Sequence, residues 1–299
     1  MDFRAKAQEM IPGSIDYHIH SGPDCFPRIL NDIEIVKQAK EAGMRAVLLK
    51  SHVEEMAARA KMAMFANGCV SGEFDCFGTL ALNLSVGGLN PEAVRNGIRM
   101  GVKQVYMPTI HAAHYLAQMG AVPMFAKLLA GGGLKGLYLL NDDGSVKDEV
   151  KEICDIIAEA GIVLATGHVS VEEGKALTAE AKKRGVQKIV VTHPTSPMEA
   201  YTIEDMQEIL SLGATMLEHV VNDTTHQMKN PIPSTVISDA IKATGAANNI
   251  MSTDSGQVIN PVPVKSLENF ICMMLEDGIS EVDIRMMTRD NPAKMLGIE

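Results

Sequence analysis

The sequence predicts an α/β fold, a (β/α)8 TIM barrel, from two observations. Eight short apolar segments alternate along the chain with segments of helical periodicity, which is typical of parallel strands covered by helices. The chain has 299 residues, enough for one such barrel, which usually needs about 250 residues. We therefore expect a single domain over residues 1–299, built as a barrel that need not be regular.

The eight predicted strands share a short apolar core bounded by polar or glycine-containing segments. They are Ile15–His20, Arg45–Lys50, Cys76–Leu84, Gln104–Met107, Ile162–His168, Lys188–His193, Thr215–Val220 and Asn249–Asp254. Between the first two strands, Ile29, Ile33 and Val36 have helical spacing, and Gly43 ends that segment. An insertion over about 109–135 follows the fourth strand, and we expect its glycines at 131–133 to form a flexible connection.

An open, doubly wound sheet is the alternative to a barrel. Such sheets often carry a Gly-x-Gly-x-x-Gly turn after the first strand, because glycine lets the backbone approach a dinucleotide. Here the first strand is followed by Ser21-Gly22-Pro23-Asp24 instead. The sequence therefore favours the barrel.

Composition excludes several classes of function. Lys and Arg number 27 against 37 Asp and Glu, a net charge of −10 that disfavours a nucleic-acid partner. No apolar stretch reaches the roughly 18 residues of a membrane span, and the first ten residues have no signal-peptide core. Five scattered cysteines without a Cys-x-x-Cys pair indicate neither a disulfide framework nor a cysteine zinc site. We expect a cytoplasmic protein that acts on a small molecule, and the sequence leaves open whether it forms a homo-oligomer.

The first strand ends in two histidines, His18 and His20. Side chains two residues apart on a strand point to the same face, so both imidazoles can reach one metal ion. Imidazole is a common ligand of zinc. Two unrelated histidines at a strand edge are the structural alternative, and the positions of the other histidines decide between the two interpretations.

Most of the nine histidines lie at or just after a predicted strand end. His52 follows the second strand, His168 ends the fifth and His193 ends the sixth, while Asp254 ends the eighth. The carboxyl ends of barrel strands meet at one mouth, where active sites are built. Asp254 taken alone is better explained as an N-cap of the following segment, but a closed barrel would place it beside the first strand.

This order of residues resembles the amidohydrolase superfamily: His-x-His on strand one, His on strands five and six, and Asp on strand eight. The segment Asn291-Pro292-Ala293-Lys294 extends the resemblance to the end of the chain. The resemblance implies a divalent metal site, with one or two ions, held by residues that lie at four strand ends. These implied ligands are His18, His20, His168, His193 and Asp254. Zinc suits imidazole and carboxylate ligands, with manganese, iron or nickel as alternatives.

Lys50 is where the sequence departs from the pattern. Members with two ions often bridge them with a carboxylated lysine or a glutamate on strand four, but Gln104–Met107 offers neither. Lys50 closes the second strand instead. Three interpretations stay open: a carboxylated lysine, a cation that grips an anionic substrate, or a surface lysine.

Three other side chains are candidates for contact with the substrate. Arg28 can recognise a carboxylate or phosphate through its planar guanidinium, although a solvated arginine explains it equally well. His52 follows the second strand, and His111 lies on the insertion that should cover the mouth. Glu218 precedes His219 on strand seven, and we interpret it as structural on the expectation that His219 points inward.

The resemblance implies hydrolysis of an amide, ester, lactone or phosphoester by metal-activated water. Asp254 would carry the proton, and His193 or Lys50 would help to polarise the substrate. A decarboxylase or other lyase with one metal ion is an alternative on the same scaffold. A barrel that binds a small molecule without catalysis is another. Serine-nucleophile chemistry is disfavoured because the chain has no Gly-x-Ser-x-Gly segment.

Overall fold

The eight predicted strands are all present in the computed structural model, which describes residues 2–118 and 135–298. The observed strands are β1 Ile15–His20, β2 Ala46–Lys50, β3 Asp75–Ala81, β4 Gln104–Tyr106, β5 Val163–Ala165, β6 Ile189–Thr192, β7 Met216–Val220 and β8 Asn249–Ser252. Several are shorter than predicted because their last residues leave the sheet. His193, for example, follows β6 with a φ of 25°.

The strands form one parallel sheet in the order β1 to β8. The chain beyond β8 returns to β1, because the backbone N–H of His20 donates to the carbonyl of Ser255 over 2.8 Å. The N–H of Asp254 likewise donates to the carbonyl of His18 over 2.8 Å. First and last strands therefore meet, and the predicted TIM barrel is confirmed.

Helices follow the strands and form the outer layer. Those of the described residues are α1 Phe3–Met10, α2 Asp32–Glu41, α3 Ala57–Ala66, α4 Pro91–Met100, α5 Ala113–Ala117, α6 Asp148–Ala160, α7 Val171–Lys183, α8 Ile203–Leu212, α9 Ser234–Thr244, α10 Pro263–Glu276, α11 Glu281–Arg285 and α12 Asn291–Leu296. Capping boxes fix the starts of α2, α7 and α8, where Asn31, Ser170 and Thr202 each accept a backbone N–H. None of the helices in the described ranges has the length and apolar character needed to cross a bilayer.

Apolar side chains fill the lower part of the barrel. Ile15, Tyr17, Leu48 and Tyr106 belong to one buried cluster inside the ring of strands. The C-terminal segment closes the barrel from below, since Asn291 Nδ2 donates to the carbonyl of Asn249 over 2.7 Å. The histidines of the predicted metal site and Asp254 lie at the opposite end, where the strands finish.

The insertion predicted after the fourth strand begins with α5. A backbone bridge pairs Ala112, which follows β4, with Leu137. The described segments before and after the insertion therefore lie side by side at this point. The glycines at 131–133 lie outside the described residues.

Candidate metal centre

His18, His20 and Asp254 come together at the C-terminal end of the barrel. The Nε2 atoms of His18 and His20 lie 3.2 and 3.0 Å from the same oxygen, Oδ1 of Asp254. Both imidazoles are buried, and the ligand atoms of the three residues lie within 4.8 Å of one another. Two imidazoles and a carboxylate at this separation can hold one divalent ion.

An irregularity in β1 aims His18 into the site. The pairing of β1 with β2 gains one residue between Asp16 and Ile19, as in a β-bulge. Tyr17 and His18 consequently both face the barrel interior, where the ring of His18 lies 5.7 Å from that of Tyr106, tilted by 47°. Bulges near active sites commonly redirect a side chain in this way.

Asp254 is held in an unusual backbone conformation. Its φ is 51°, a left-handed value that costs a residue other than glycine of order 1–3 kcal/mol. Asn222 donates its side-chain N–H to the Asp254 carbonyl, and Gln257 Nε2 donates to the same oxygen over 3.0 Å. Two buried amides thus stabilise the strained turn that presents this carboxylate.

Glu218 orients His18 from the other side of the ring. His18 Nδ1 lies 3.0 Å from Glu218 Oε1, which also accepts the hydroxyl of Ser252 over 2.8 Å. The expectation that His219 points inward is wrong, because Met216 and Glu218 take the inward positions of β7. His219 lies outside the ring of strands and contacts Asn249 Oδ1 at 2.9 Å.

A second group of ligands lies beside the first. His168, His193 and Glu199 place their ligand atoms within 4.8 Å of one another, and all three are buried. Glu199 Oε2 lies 3.0 Å from His193 Nδ1. The ring of His193 stacks 6.3 Å from that of His18, so the two groups share one site. The sequence analysis did not identify Glu199.

Lys50 lies inside the site with 1% of its surface exposed, so the surface-lysine interpretation is wrong. Its Nζ sits 4.4 Å from the centre of the Tyr106 ring, a cation–π distance. Burial lowers the pKa of Lys50 to about 8, although the carboxylates of Asp254, Glu218 and Glu199 oppose the shift. An ammonium or a neutral amine is therefore accessible near neutral pH.

The imidazoles of the two groups differ in protonation. Burial lowers the pKa of His20 to about 3, and the Arg28 guanidinium adds to this effect. His193 is buried too, but the carboxylate of Glu199 outweighs burial and the pKa of His193 rises to about 9. At neutral pH the first group is ready for a metal ion, whereas His193 must first lose a proton.

The buried donor atoms fit a metal ion. Neither Nδ1 nor Nε2 of His168 has a hydrogen-bond partner among the described residues, although the side chain is only 5% exposed. Leaving a buried polar atom unpaired costs about 1–3 kcal/mol, which metal coordination would remove. The residues present therefore suit the divalent ion that the sequence resemblance implies.

The three residues predicted to contact substrate differ in their position relative to the cavity. His52 lies on the wall of the site, with its ring stacked 4.7 Å from His20 and its Nδ1 2.9 Å from Thr109 Oγ1. Arg28 lies behind His20, where it forms an ion pair with Asp24 at 2.7 Å. His111 is 8% exposed and lies outside the cavity wall. For Arg28 and His111, the geometry does not favour direct contact with substrate.

Arg28 bears on the chemistry of His20. Its Nη2 lies 3.2 Å from His20 Nδ1, and because arginine can only donate, this contact requires the His20 proton on Nε2. Coordination of a metal ion through Nε2 would move that proton to Nδ1 and end the contact. Arg28 therefore competes with metal binding at His20 in this arrangement.

One cavity of about 390 Å³, counted to its open mouth, joins both groups of ligands. Beside residues of both groups, its wall contains polar and apolar side chains that the sequence analysis did not identify. These are Tyr115, Ser196, Met198, Asp223, Gln227, Met228 and Gln257. They come from loops after β4, β6, β7 and β8, where no periodicity marks a functional residue.

Three solved structures with similar folds are distant from this chain in sequence. An amidohydrolase from Pseudomonas aeruginosa superimposes with a TM-score of 0.64 at 12% identity, over 97% of this chain and 98% of that chain. An organophosphorus hydrolase from Deinococcus radiodurans gives a TM-score of 0.56 at 13% identity, over 97% and 94%. A dihydroorotase gives 0.56 at 14% identity, over 96% and 72%. At the level of the fold, these matches confirm the resemblance to amidohydrolases.

Sequence comparison places the chain in a family. No curated protein sequence matches it. The family of unknown function DUF6282 matches residues 13–217, which is more than half of the chain and includes β1 to β6 with four of the five predicted metal ligands. The chain belongs to the family of unknown function DUF6282.

Proposed function

We propose that this protein is a metal-dependent hydrolase that acts on a small molecule with an amide, ester, lactone or phosphoester bond. The observation that carries the proposal is the pair of adjoining ligand groups, His18–His20–Asp254 and His168–His193–Glu199, at one barrel mouth. The cavity at the barrel mouth is lined by residues of both groups and by further polar and apolar side chains, as small-molecule sites are. Likeness of fold to hydrolases supports the reaction class without identifying the substrate.

Two ions fit the site better than one, with zinc the first choice for ligands of this kind. His18, His20 and Asp254 would hold the first ion, and His168, His193 and Glu199 the second. An ion bound here would lower the pKa of water toward about 7 and would polarise a substrate oxygen. A one-ion lyase would leave His168 and Glu199 of the second group without an ion to bind.

Asp254 is the proton carrier in this proposal. One of its oxygens contacts both imidazoles of the first group, and 17% of its side chain is exposed, which leaves room for exchange with the cavity. It would accept a proton from the attacking water and return it to the leaving group. Its strained backbone, held by Asn222 and Gln257, keeps the carboxylate in one position during both transfers.

Lys50 and His193 stabilise charge on the substrate. The ammonium of Lys50 stays inside the site over the ring of Tyr106, where it can face an oxygen that becomes negative. His193 is held at Nδ1 by Glu199, so its other ring nitrogen faces the second ion or the substrate. His52 completes the wall beside His20 and is the predicted contact that the geometry favours for substrate.

Metal analysis combined with a substrate panel tests the proposal. Purified protein should bind zinc or manganese at up to two equivalents and hydrolyse some members of a panel of amides, esters, lactones and phosphoesters. Oxygen-18 from labelled water should enter the product, and Asp254→Asn should abolish turnover even at zinc concentrations high enough to occupy the first group. Release of carbon dioxide without uptake of water would establish the lyase instead. Failure to bind any metal would leave a non-catalytic binding barrel.

A further inference from the structure

Asp223 lines the cavity, and one oxygen of its buried carboxyl group is left without a hydrogen-bond partner among the described residues. Asp223 lies on the short 3-10 turn Val221–Thr224 that follows β7, and only 4% of its surface is exposed. It lines the cavity that contains both ligand groups. Its Oδ2 has no hydrogen-bond partner within residues 2–118 and 135–298. A buried acceptor left unpaired is costly, so its retention indicates that something else pairs with it.

A network of buried amides holds the chain on both sides of Asp223, and the Asp223 carbonyl accepts the N–H of Ile232 over 3.0 Å. Asn260 Nδ2 donates to Asn222 Oδ1 and to Gln227 Oε1, each over 2.8 Å. Asn222 in turn donates to Gln257 Oε1 over 3.1 Å. These contacts join the loops after β7 and β8, on both sides of Asp223. The carboxyl group therefore projects from a backbone that is fixed before a ligand arrives, which is typical of a recognition residue rather than a mobile surface acid.

The charges around Asp223 favour a cationic partner. Burial raises the pKa of Asp223, the carboxylates of Glu199 and Asp254 raise it further, and His193 opposes them. In the proposed function Glu199, Asp254 and His193 are all occupied by metal ions. Asp223 belongs to neither ligand group, and the Ser196 hydroxyl is the side-chain donor that reaches it. A ligand that brings a positive N–H donor would offset the cost of a buried carboxylate.

We propose that Asp223 is a specificity-determining residue that receives an ammonium or similar cationic nitrogen of the substrate at Oδ2. This inference rests on the proposed hydrolase function for the identity of the ligand as a substrate. It narrows the substrate class to compounds that carry a basic nitrogen close to the scissile group. Lys50 and the metal ions would bind the oxygen-bearing part, and Asp223 would bind the nitrogen.

Three matched probes test the inference on the zinc-loaded full chain. The probes are L-alaninamide, L-lactamide and propanamide, which carry an ammonium, a hydroxyl and a hydrogen, respectively, on the same carbon. They differ only in the group that Asp223 would contact. Calorimetric titration at about pH 7 should give alaninamide at least about tenfold tighter binding than propanamide. In Asp223→Asn this preference should fall below about twofold, because a neutral amide cannot pair with the ammonium.

Asp239→Asn is the matched control, since it removes an exposed carboxylate on α9 and should keep the preference. Equal binding of the three probes, or no binding of alaninamide at about 50 mM, would overturn the inference. So would a preference that survives in Asp223→Asn. If Asp223→Asn does not fold, the comparison of the three probes on the wild-type protein tests the inference. Failure of the hydrolase proposal is separately visible, because it appears as absent metal or absent turnover while probe binding is still measured.

Discussion

The Nδ1 atom of His18 lies 3.0 Å from Oε1 of Glu218, and both side chains are fully buried. This contact places the imidazole proton on Nδ1 and leaves Nε2 free to bind a metal ion. Glu218 therefore sets the tautomer of the ligand, in the manner of the carboxylate–histidine–metal arrangement of many metalloenzymes.

Glu218→Gln should weaken binding of the first metal ion. The amide oxygen still accepts the His18 proton, but the loss of negative charge lowers the basicity of the imidazole. We expect a loss of about 10- to 100-fold in zinc affinity, measured by competition with a chromophoric chelator. His219→Gln is the matched control, since its ring is equally buried but contacts Asn249 and Thr195 outside the site. An equal loss of affinity in both variants would show general destabilisation and refute the role of Glu218.

Binding of the second metal ion should depend on pH, and binding of the first should not. His193, with a pKa raised to about 9 by Glu199, is protonated at neutral pH and must release its proton to bind metal. Affinity at the second group should therefore rise about tenfold for each unit of pH up to about 9. His20, whose pKa is lowered to about 3, is already neutral over this range. Calorimetry in buffers of different ionisation enthalpy measures the protons released with each ion.

Glu199→Gln tests whether the carboxylate of Glu199 raises the pKa of His193. Removing the carboxylate lowers the pKa of His193, so the pH dependence of the second binding step should move toward acidic pH. The first step should be unchanged, because Glu199 does not contact His18 or His20. The same pH dependence for both ions in the wild-type protein would contradict the assignment of His193.

Lys50→Met should stabilise the metal-free protein near neutral pH. The pKa of Lys50 falls from 10.5 to about 8 on folding, so between these values the unfolded chain binds a proton that the folded chain has released. The free energy of unfolding of the wild type therefore rises with pH across this window. Below pH 8 the buried ammonium costs up to about 3 kcal/mol. We expect the variant to be more stable by up to that amount at pH 7, with the difference vanishing near pH 10.5.

Urea unfolding in the presence of a chelator measures this difference. Lys183→Met is the control, because the Lys183 side chain is 78% exposed and its substitution should change stability little at any pH. A Lys50→Met variant that is less stable than the wild type at pH 7 would show that contacts of the ammonium outweigh its desolvation. Loss of turnover in the same variant would separately support the role of Lys50 in charge stabilisation.

The fold and the first ligand group could be predicted because they follow from the order of strands. Once eight strands close into a barrel, residues at strand ends such as His20 and Asp254 must meet at one mouth. Hydrogen bonds between the turn at Asp254 and β1 close the barrel. The shorter observed strands, which end before His168 and His193, do not alter this argument because the following residues still lie at the rim.

Other parts of the site depend on local geometry that no periodicity encodes. Glu199 reaches His193 through a turn with positive φ at both His193 and Ala200, and nothing in the sequence marks such a turn. On β7, the neighbours Glu218 and His219 are both polar, so only the inward direction of Met216 shows which of them enters the barrel. Arg28 was predicted to recognise an anion, but its spacing from Asp24 favours the buried ion pair that is observed.

Gly256 lies against the strand that carries His20. A Cβ atom at Gly256 would lie 2.0 Å from the carbonyl oxygen of His20, and the φ of Gly256 is 142°. Gly256→Ala should therefore displace the backbone of His20, destabilise the protein by several times more than a simple change of backbone preference, and weaken binding of the first metal ion. Gly185→Ala is the matched control, because its φ is 90° and a Cβ there meets no atom of the described residues within 4 Å.

The comparison separates two physical effects. Gly185→Ala should lower the free energy of unfolding by only about 1–2 kcal/mol, because alanine is strained in the left-handed conformation, and it should leave metal affinity unchanged. Alanine at Gly256 adds the clash with His20, so its greater loss of stability should be accompanied by a loss of zinc affinity in chelator competition. The opposite result would be a Gly256→Ala variant that loses no more stability than Gly185→Ala and keeps the zinc affinity of the wild type. That result would show that the turn after β8 does not position His20, and that the contact between Gly256 and β1 does not contribute to the metal centre.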